Sequence, residues 1–385
     1  MLTVNYITRP WFFDISIEFI KELKLKTNLN VILIIAPATL GYLEISKEDG
    51  ERYINKTLNL KEVLKGDAKQ RFAKYFDGTN VFCKFEQHNE TNYHNALAWI
   101  KLLNKNKSLL KADYTIIESL SLADWYFLFR FRNKKLAYII HDPVAHTGEE
   151  RGRVDKLNSI YFPYINRFIT YSAFAGKLFK QNYPKYKNRV SVFQMPVYHS
   201  LNIREKNPLE TKSKVVFFGR ISPYKGVELF YKVASSLAVK YPETEFIIAG
   251  KTIEDYHPDF LTDNPHSNII IKNKFIELEE LYELMHDASF CVLPYLDATQ
   301  SGVIMTAYAF NLPVLVSDCE GLLEYCFDTD DFSFKNGDVE DLELKMEELL
   351  CAPELLEANR KQITAYDVEN IPMKNVEVFL QQVGK

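Results

Sequence analysis

The sequence predicts an α/β protein with doubly wound, parallel sheets. Short apolar runs rich in Val and Ile recur along the chain, as expected for strands buried on both faces. Longer amphipathic segments, which predict helices, separate these runs from one end of the chain to the other. The 385 residues are 47% hydrophobic and 25% charged, a balance that argues against a disordered or multi-span membrane protein.

Ten of the apolar runs are predicted as strands, at residues 30–36, 113–119, 136–142, 167–172, 190–195, 214–220, 245–250, 268–273, 290–295 and 312–318. Segments with helical periodicity alternate with them, for example at residues 16–25, 226–240, 277–287 and 339–350. Residues 44–112 are less regular, and we expect helices there whose limits the pattern does not fix.

The two halves of the chain carry opposite charge. Residues 1–200 hold 30 Lys and Arg against 19 Asp and Glu, whereas residues 201–385 hold 17 against 32. A polar stretch at 199–214 lies between them and predicts an interdomain linker, with domains at 1–205 and 206–365. A basic surface of this kind binds nucleic acid, an anionic membrane or a phosphate-bearing substrate, or is simply solvated.

The N-terminus and the cysteines indicate the compartment. No cationic start followed by a continuous apolar core is present, so we expect a cytoplasmic location rather than secretion. The five cysteines are an odd number without a CxxC pair, which predicts buried thiols rather than a disulfide framework or a zinc site.

The strongest local motif is VVFFGRISPYKGVELF at residues 215–230. A buried strand ends at Gly219 and Arg220, and Lys225 stands where the next helix opens. A guanidinium and an ammonium at one strand-to-helix junction can converge on a diphosphate, and glycines at strand ends, such as Gly250, let phosphate approach the backbone. The alternative is a solvated turn that carries two cations.

A second motif lies at residues 295–318. Polar residues 297–301 and Gly302 lead into a predicted helix, whose first N–H groups could hold a phosphate or sugar hydroxyls. The alternative is an ordinary capped helix that packs on the core.

Two motifs in the first half add candidate side chains. YIIHDPVAHTGEE (138–150) gathers polar groups at the end of a strand and matches no strong zinc spacing, so substrate contact or proton handling is favoured over a metal site. The alternative is an ordinary histidine with satisfied hydrogen bonds, which is less favoured for His141 and slightly favoured for His146. At residues 8–24, Trp11 and Phe12 precede a helix for which Asp14 or Ser16 is the expected N-cap. The two aromatic residues predict a hydrophobic staple or, less favoured, an exposed platform for a sugar.

These motifs together resemble the GT-B glycosyltransferases, specifically glycosyltransferase family four of bacterial polysaccharide assembly. The resemblance rests on four segments of the second half and, more loosely, on two of the first: GRISPYKG (219–226), FIIAGK (246–251), KNKFIELEELYELMHDASFCVLPY (272–295), QSGVIMTAYAFNLPVLVSDCEGLLEYC (300–326), HDPVAHTGE (141–149) and ITYSAFAGKLF (169–179).

The resemblance implies two Rossmann-like domains that face each other across a cleft. The first would bind the acceptor, the second would bind the donor, and a C-terminal helix at 366–385 would cross back to the first. Members of the family generally retain anomeric configuration and need no metal, so we expect no cofactor beyond the nucleotide-sugar substrate.

The resemblance also implies roles for individual residues. Arg220 and Lys225 would neutralise the diphosphate, and His141 would lie near the donor sugar; these three are the candidate catalytic residues. The candidate donor-binding residues are Gly219, Arg220, Lys225, Gly250, Phe275, Ile276, Gln300, Ser301, Gly302, Val303 and Thr306. The candidate acceptor-binding residues are Trp11, Asp14, Asp142 and His146.

The chain departs from the family's Glu-x7-Glu motif, because Ala298 and Thr306 stand at the positions of the two glutamates. The second glutamate usually contacts the nucleotide ribose; Thr306 could still offer a hydroxyl, and Gln300 could take over sugar contacts.

The expected function is transfer of a sugar from a UDP- or GDP-sugar to a glycan or lipid-linked saccharide, with retention. The expected place is the cytoplasm, on the inner face of the cell membrane, without a nucleic-acid partner. The alternatives are a catalytically inactive homologue that binds a nucleotide or a partner, and a nucleotide-sugar epimerase on the same fold.

Overall fold

The structure is a computed structural model that describes residues 1–54, 56–87, 95–119, 121, 124–144, 152–202, 213–367 and 369–383. The first part of the chain forms an eight-stranded sheet of order β3-β4-β2-β1-β5-β6-β7-β8, in which β3 is antiparallel and all other pairs are parallel. Its strands are β1 (Thr3–Thr8), β2 (Asn28–Ile35), β3 (Thr57–Asn59), β4 (Asn80–Phe85), β5 (Tyr114–Ile117), β6 (Lys135–Ile140), β7 (Arg167–Thr170) and β8 (Val190–Val192).

The second part forms a six-stranded parallel sheet of order β11-β10-β9-β12-β13-β14. Its strands are β9 (Lys214–Phe218), β10 (Glu245–Ala249), β11 (Ile269–Lys272), β12 (Phe290–Leu293), β13 (Val314–Ser317) and β14 (Ser333–Phe334). In each sheet the strand order reverses beside the first strand, and in open parallel sheets this switch point is where ligands bind.

Helices cover both faces of the sheets. They are α1 (Phe13–Lys26), α2 (Lys47–Tyr53), α3 (Leu60–Val63), α4 (Gly66–Phe76), α5 (Ala96–Lys105), α6 (Trp125–Phe131), α7 (Gly152–Tyr161), α8 (Ala173–Asn182), α9 (Val227–Lys240), α10 (Leu278–Asp287), α11 (Gly302–Ala309), α12 (Glu320–Leu323), α13 (Thr329–Phe332), α14 (Val339–Cys351), α15 (Pro353–Asp367) and α16 (Ile371–Val383). Short 3-10 segments lie at Pro10–Phe12, Pro37–Leu43, Lys107–Lys111, Phe162–Tyr164, Pro184–Arg189, Pro223–Lys225 and Asp259–Leu261. None of the described helices is long and apolar enough to cross a membrane.

The parallel α/β prediction is confirmed, and each of the ten predicted strands is present. Three details of the prediction were wrong. Helix α1 begins at Phe13 with Phe12 as its N-cap, so neither Asp14 nor Ser16 caps it. The C-terminal helix is interrupted, because α15 ends at Asp367 and α16 begins at Ile371. The Cys351 side chain is exposed rather than buried.

The last helix lies on the first part of the chain. Phe379 of α16 packs edge-on against Phe19 of α1, with ring centroids 6.4 Å apart. The Asn375 side chain donates to the Gln194 carbonyl and accepts from the Gln194 amide, at 2.8 and 3.0 Å. The expected boundary between residues 205 and 206 falls within 203–212, outside the described residues.

Candidate active site

The site begins where β9 ends at Phe218. Gly219 follows with φ of +131°, a left-handed conformation that favours glycine. A Cβ on Gly219 would lie 2.9 Å from Lys225 Nζ and 3.5 Å from Val303 Cγ2. A Cβ on Gly250 would lie 1.7 Å from the Gly219 carbonyl oxygen. The glycines therefore let an ammonium group, a strand end and the first turn of α11 meet at one point.

Lys225 is the buried cation between the end of β9 and the first turn of α11. Its Nζ donates to the Tyr295 hydroxyl at 2.7 Å and lies 4.5 Å from the centre of that ring. Burial, reinforced by the positive charge of Arg220, lowers the pKa of Lys225 to about 7. Arg220 itself is exposed at the cleft, with Nη2 3.4 Å from the Tyr224 hydroxyl. An anion bound between the two cations would relieve the cost of holding the Lys225 charge.

The N-terminus of α11 supplies backbone donors beside Lys225. Ser301 is the buried N-cap residue, and Gly302 and Val303 begin the helix, where N–H groups have no partner within the helix. Gln300 precedes them, and its Oε1 is buried with no hydrogen-bond partner among the described residues. This end of α11 is suited to a phosphate or to sugar hydroxyls.

His141 faces this point from the first sheet, directly after β6. Its ring stacks flat on Phe12, with centroids 4.1 Å apart and planes at 5°, and its Nε2 lies 3.7 Å from Glu118 Oε1. Burial lowers the pKa of His141 to about 4 and raises the pKa of Glu118 to about 8. At neutral pH the pair is therefore a neutral imidazole beside a protonated carboxyl group, and the 3.7 Å between Nε2 and Oε1 is longer than a hydrogen bond.

The two parts of the chain touch at the loop before α11. The Thr299 hydroxyl donates to Asp142 Oδ1 at 2.6 Å, and the Ser172 hydroxyl donates to the Thr299 carbonyl at 2.9 Å. The negative charge of Asp142 raises the pKa of both His141 and Lys225, although burial dominates in each case. The predicted residues of the two halves thus meet around one cleft.

A cavity of about 220 Å³ continues the cleft away from Lys225. Phe275, Ile276 and Thr306 line it from the second part, and Asp14 and Tyr42 line it from the first. The Tyr42 and Phe275 rings stand edge to face with centroids 6.1 Å apart, and both are partly exposed to the cavity. The cavity beside these two aromatic rings is suited to a nucleobase.

The predicted acceptor residues do not form one group. Asp14 lies in the cavity with Thr306, whereas Trp11 packs edge-on against Phe12 at 6.1 Å, on the side of His141. Asp142 lies at the contact with Thr299. His146 lies outside the described residues.

Some site residues were missed by the sequence analysis. Glu118 is a polar residue near the end of the strand predicted at 113–119, so its position carried a usable signal. Tyr295 and Thr299 lie in the motif at 295–318, but their contacts with Lys225 and Asp142, like that of Tyr42 with Phe275, join segments remote in sequence and were not predicted. Among the described residues, no group of three or more His, Cys, Asp or Glu is placed to hold a metal ion.

Comparison with known proteins finds similarity to glycosyltransferases in part of the sequence and in the overall fold. Residues 212–352 match the family model described as glycosyl transferases group 1. The chain matches a glycosyltransferase from Rickettsia africae ESF-5 at 15% identity and a TM-score of 0.66, covering 100% of this chain and 99% of that one. No curated protein sequence matches it significantly.

Two further solved structures carry ligands. Anabaena HepE in complex with UDP and glucose matches at 13% identity and a TM-score of 0.67, covering 99% of this chain and 100% of that one. The catalytic domain of starch synthase IV from Arabidopsis thaliana, bound to ADP and acarbose, matches at 11% identity and a TM-score of 0.68 over 100% of both chains. The predicted GT-B fold is thereby confirmed over the whole chain. Its second sheet lies within the segment that matches the group 1 glycosyltransferase model.

Proposed function

We propose that this protein is a glycosyltransferase that moves a sugar from a UDP- or GDP-sugar to a glycan or lipid-linked saccharide, with retention of configuration. The observation that carries the proposal is the meeting of Lys225, Arg220 and the α11 N-terminus at one strand end, opposite His141 of the other sheet. The match to group 1 glycosyltransferases and the nucleotide complexes of HepE and starch synthase IV support it.

The chemistry follows from where charge develops. As the bond from the anomeric carbon to the diphosphate breaks, the acceptor hydroxyl oxygen bonds to that carbon and gives up its proton, which the leaving diphosphate can accept. Negative charge meanwhile gathers on the leaving phosphate oxygen. Lys225, Arg220 and the first N–H groups of α11 are fixed around that position and stabilise the charge without rearranging. The neutral His141 ring offers a hydrogen bond to a sugar hydroxyl, and its stacking on Phe12 holds its orientation.

The first domain also carries a surface suited to anionic lipid. We define the α5–α6 surface by the exposed apolar residues Leu97, Trp125 and Phe129. Residues 96–112 and 125–141, which contain these helices, hold eight Lys or Arg and no Asp or Glu. Exposed aromatic and basic residues on one face are typical of helices that lie on membranes, so we propose that this surface brings the enzyme to a lipid-linked acceptor.

Binding and kinetics of three variants test the transferase. Lys225→Ala should weaken binding of UDP or GDP by about 2–5 kcal/mol, because a buried charged partner of the diphosphate is lost. Arg220→Ala should weaken it less, because Arg220 is exposed. His141→Ala should lower kcat and kcat/KM together, on the order of 10²-fold, with nucleotide affinity unchanged.

The measurements are calorimetric titration with UDP and GDP and turnover of candidate nucleotide-sugars. Unchanged nucleotide binding by the Lys225 variant would remove the diphosphate assignment. Full transfer activity of a folded His141→Ala variant would remove the role of the imidazole at the donor sugar.

A further inference from the structure

The cavity beside Tyr42 and Phe275 contains the carboxylate of Asp14, to which the proposed reaction assigns no role. With a diphosphate at Arg220 and Lys225 and a base at Phe275, the ribose of the nucleotide lies between them. Tyr42 and Asp14 line the same cavity as Phe275. Burial and the charge of Asp14 raise the pKa of the Tyr42 hydroxyl, and the charge of Arg220 lowers it. Asp14 is therefore near the position of the ribose.

The Asp14 carboxylate is held rigidly by one of its two oxygens. Oδ1 accepts from the Ser200 hydroxyl at 2.9 Å and from Arg71 Nη2 at 3.3 Å. Arg71 Nε donates to the Ser200 carbonyl at 3.0 Å, which fixes the guanidinium in turn. All hydrogen bonds that the described residues make to this carboxylate reach Oδ1, and 32% of the side chain stays exposed. Oδ2 is thus an acceptor available to a ligand in the cavity.

The other polar groups of the cavity are less suited to receive two hydroxyl donors. Thr306 donates its hydroxyl proton to the Gly302 carbonyl at 3.0 Å and can offer only a neutral oxygen. Glu44 Oε2 accepts from the Ala68 amide at 3.1 Å. Glu277 is exposed beside Phe275 and makes no capping hydrogen bond at the start of α10, so its carboxylate is held less firmly than that of Asp14, which accepts from Ser200 and Arg71.

We propose that Asp14, from the first domain, accepts a hydrogen bond from a ribose hydroxyl of the nucleotide, so that the site selects ribonucleotides over 2′- or 3′-deoxyribonucleotides. This inference rests on the proposed function, because it places a nucleoside in the cavity. A charged acceptor makes a stronger hydrogen bond to a hydroxyl than a neutral one does. The carboxylate that selects the ribose therefore belongs to the first domain, whereas the diphosphate site belongs to the second.

Titration of the full chain with UDP, 2′-deoxy-UDP and 3′-deoxy-UDP, and with the GDP series, tests the inference. Wild type should bind the ribonucleotide about 10–100-fold more tightly than at least one deoxy analogue, the range expected for a hydrogen bond to a charged group. Asp14→Asn, which can keep the Oδ1 contacts, should lose this preference while binding the deoxy analogue as wild type does. Glu277→Gln, at the same cavity, is the matched control and should keep the preference.

The outcomes separate this inference from the proposed function. Absence of nucleotide binding by wild type would overturn both. Nucleotide binding with an undiminished ribose preference in Asp14→Asn would overturn only the inference. So would unchanged nucleotide affinity with a raised KM for the acceptor, because Asp14 would then act on the acceptor. Asp14→Ser, checked for folding by circular dichroism, gives the same test if the Asn variant does not fold.

Discussion

Lys225 combines a buried position with a positive charge that a ligand anion would stabilise. Because burial lowers its pKa to about 7, much of the ligand-free protein holds a neutral Lys225 above that pH. A bound diphosphate favours the charged form and raises the pKa again. Diphosphate binding and protonation of Lys225 are thus linked. Above pH 7, Lys225 should take up a proton when the diphosphate binds.

This linkage predicts how nucleotide affinity depends on pH. Between pH 7 and 9 the affinity for UDP or GDP should fall by up to tenfold per pH unit, since each unit leaves about tenfold less of the charged form. The terminal phosphate, with a pKa of about 6, no longer titrates in this range. Calorimetry in two buffers of different ionisation enthalpy should report proton uptake at pH 8.

Two variants control for other titrating groups. Lys225→Met should bind weakly and without the pH dependence. Arg220→Ala should bind more weakly than wild type but keep the pH dependence, because Lys225 is still present. Equal proton uptake by wild type and Lys225→Met would contradict the assignment.

At the scale of elements, the apolar runs predicted ten of the fourteen strands in the described part of the chain; β1, β3, β4 and β14 were not among them, and β4 shows one reason. Lys84 interrupts the apolar pattern of β4, yet it is fully buried. Its Nζ pairs with Glu86 at 2.5 Å and lies 4.8 Å from the centre of the Trp99 ring. In the sequence, a buried lysine that is paired with a carboxylate cannot be distinguished from a lysine on the surface. The local hydrophobic pattern therefore could not predict this strand.

The difference between local motifs and long-range contacts also explains which parts of the site could be predicted from the sequence. Gly219, Lys225 and Gly302 lie at strand and helix ends, where local motifs report position directly. The approach of Asp14 and Tyr42 to Phe275 depends on how the two sheets face each other, and no local pattern records that. The donor side was therefore predictable in outline, and the contribution of the first domain to the nucleoside cavity was not.

The α5–α6 surface gives a prediction at this scale. The protein should bind vesicles that contain anionic lipid more than neutral vesicles, and binding should weaken as salt rises because the Debye length falls from about 10 Å at 0.1 M to about 3 Å at 1 M. Trp125→Ala with Phe129→Ala should reduce binding about tenfold or more, since two exposed aromatic anchors are lost. Sedimentation with vesicles measures both effects.

Val239→Ala is the matched control, because Val239 is an exposed apolar residue of α9 in the other domain. It should bind vesicles as wild type does. Equal binding to neutral and anionic vesicles, or no loss in the double variant, would contradict the surface. Retention of nucleotide binding in the double variant would show that the donor site is intact.

At the scale of the whole molecule, the opposite charges of the two halves meet at the cleft. Glu324 of the second domain accepts from the Ala173 and Phe174 amides at the start of α8, at 2.7 and 3.2 Å. One turn further, Lys177 Nζ lies 2.7 Å from Glu320. Lys177 belongs to the basic segment of the first half, so part of its positive charge faces the second domain rather than a separate partner.

These contacts predict that exposed charges contribute to holding the two parts of the chain together, and that their removal favours a more open arrangement. Each exposed contact contributes about 1 kcal/mol or less, so loss of the carboxylate at the α8 N-terminus should shift the population of open molecules several-fold. Glu324→Ala should raise the radius of gyration measured by small-angle X-ray scattering, and wild type should approach that value in 1 M salt.

Lys177→Met should act in the same direction. Lys180→Met, whose side chain is exposed on α8, should match wild type. A radius of gyration unchanged by Glu324→Ala and by salt would mean that the buried hydrogen bonds and apolar contacts hold the domains together without these exposed charges.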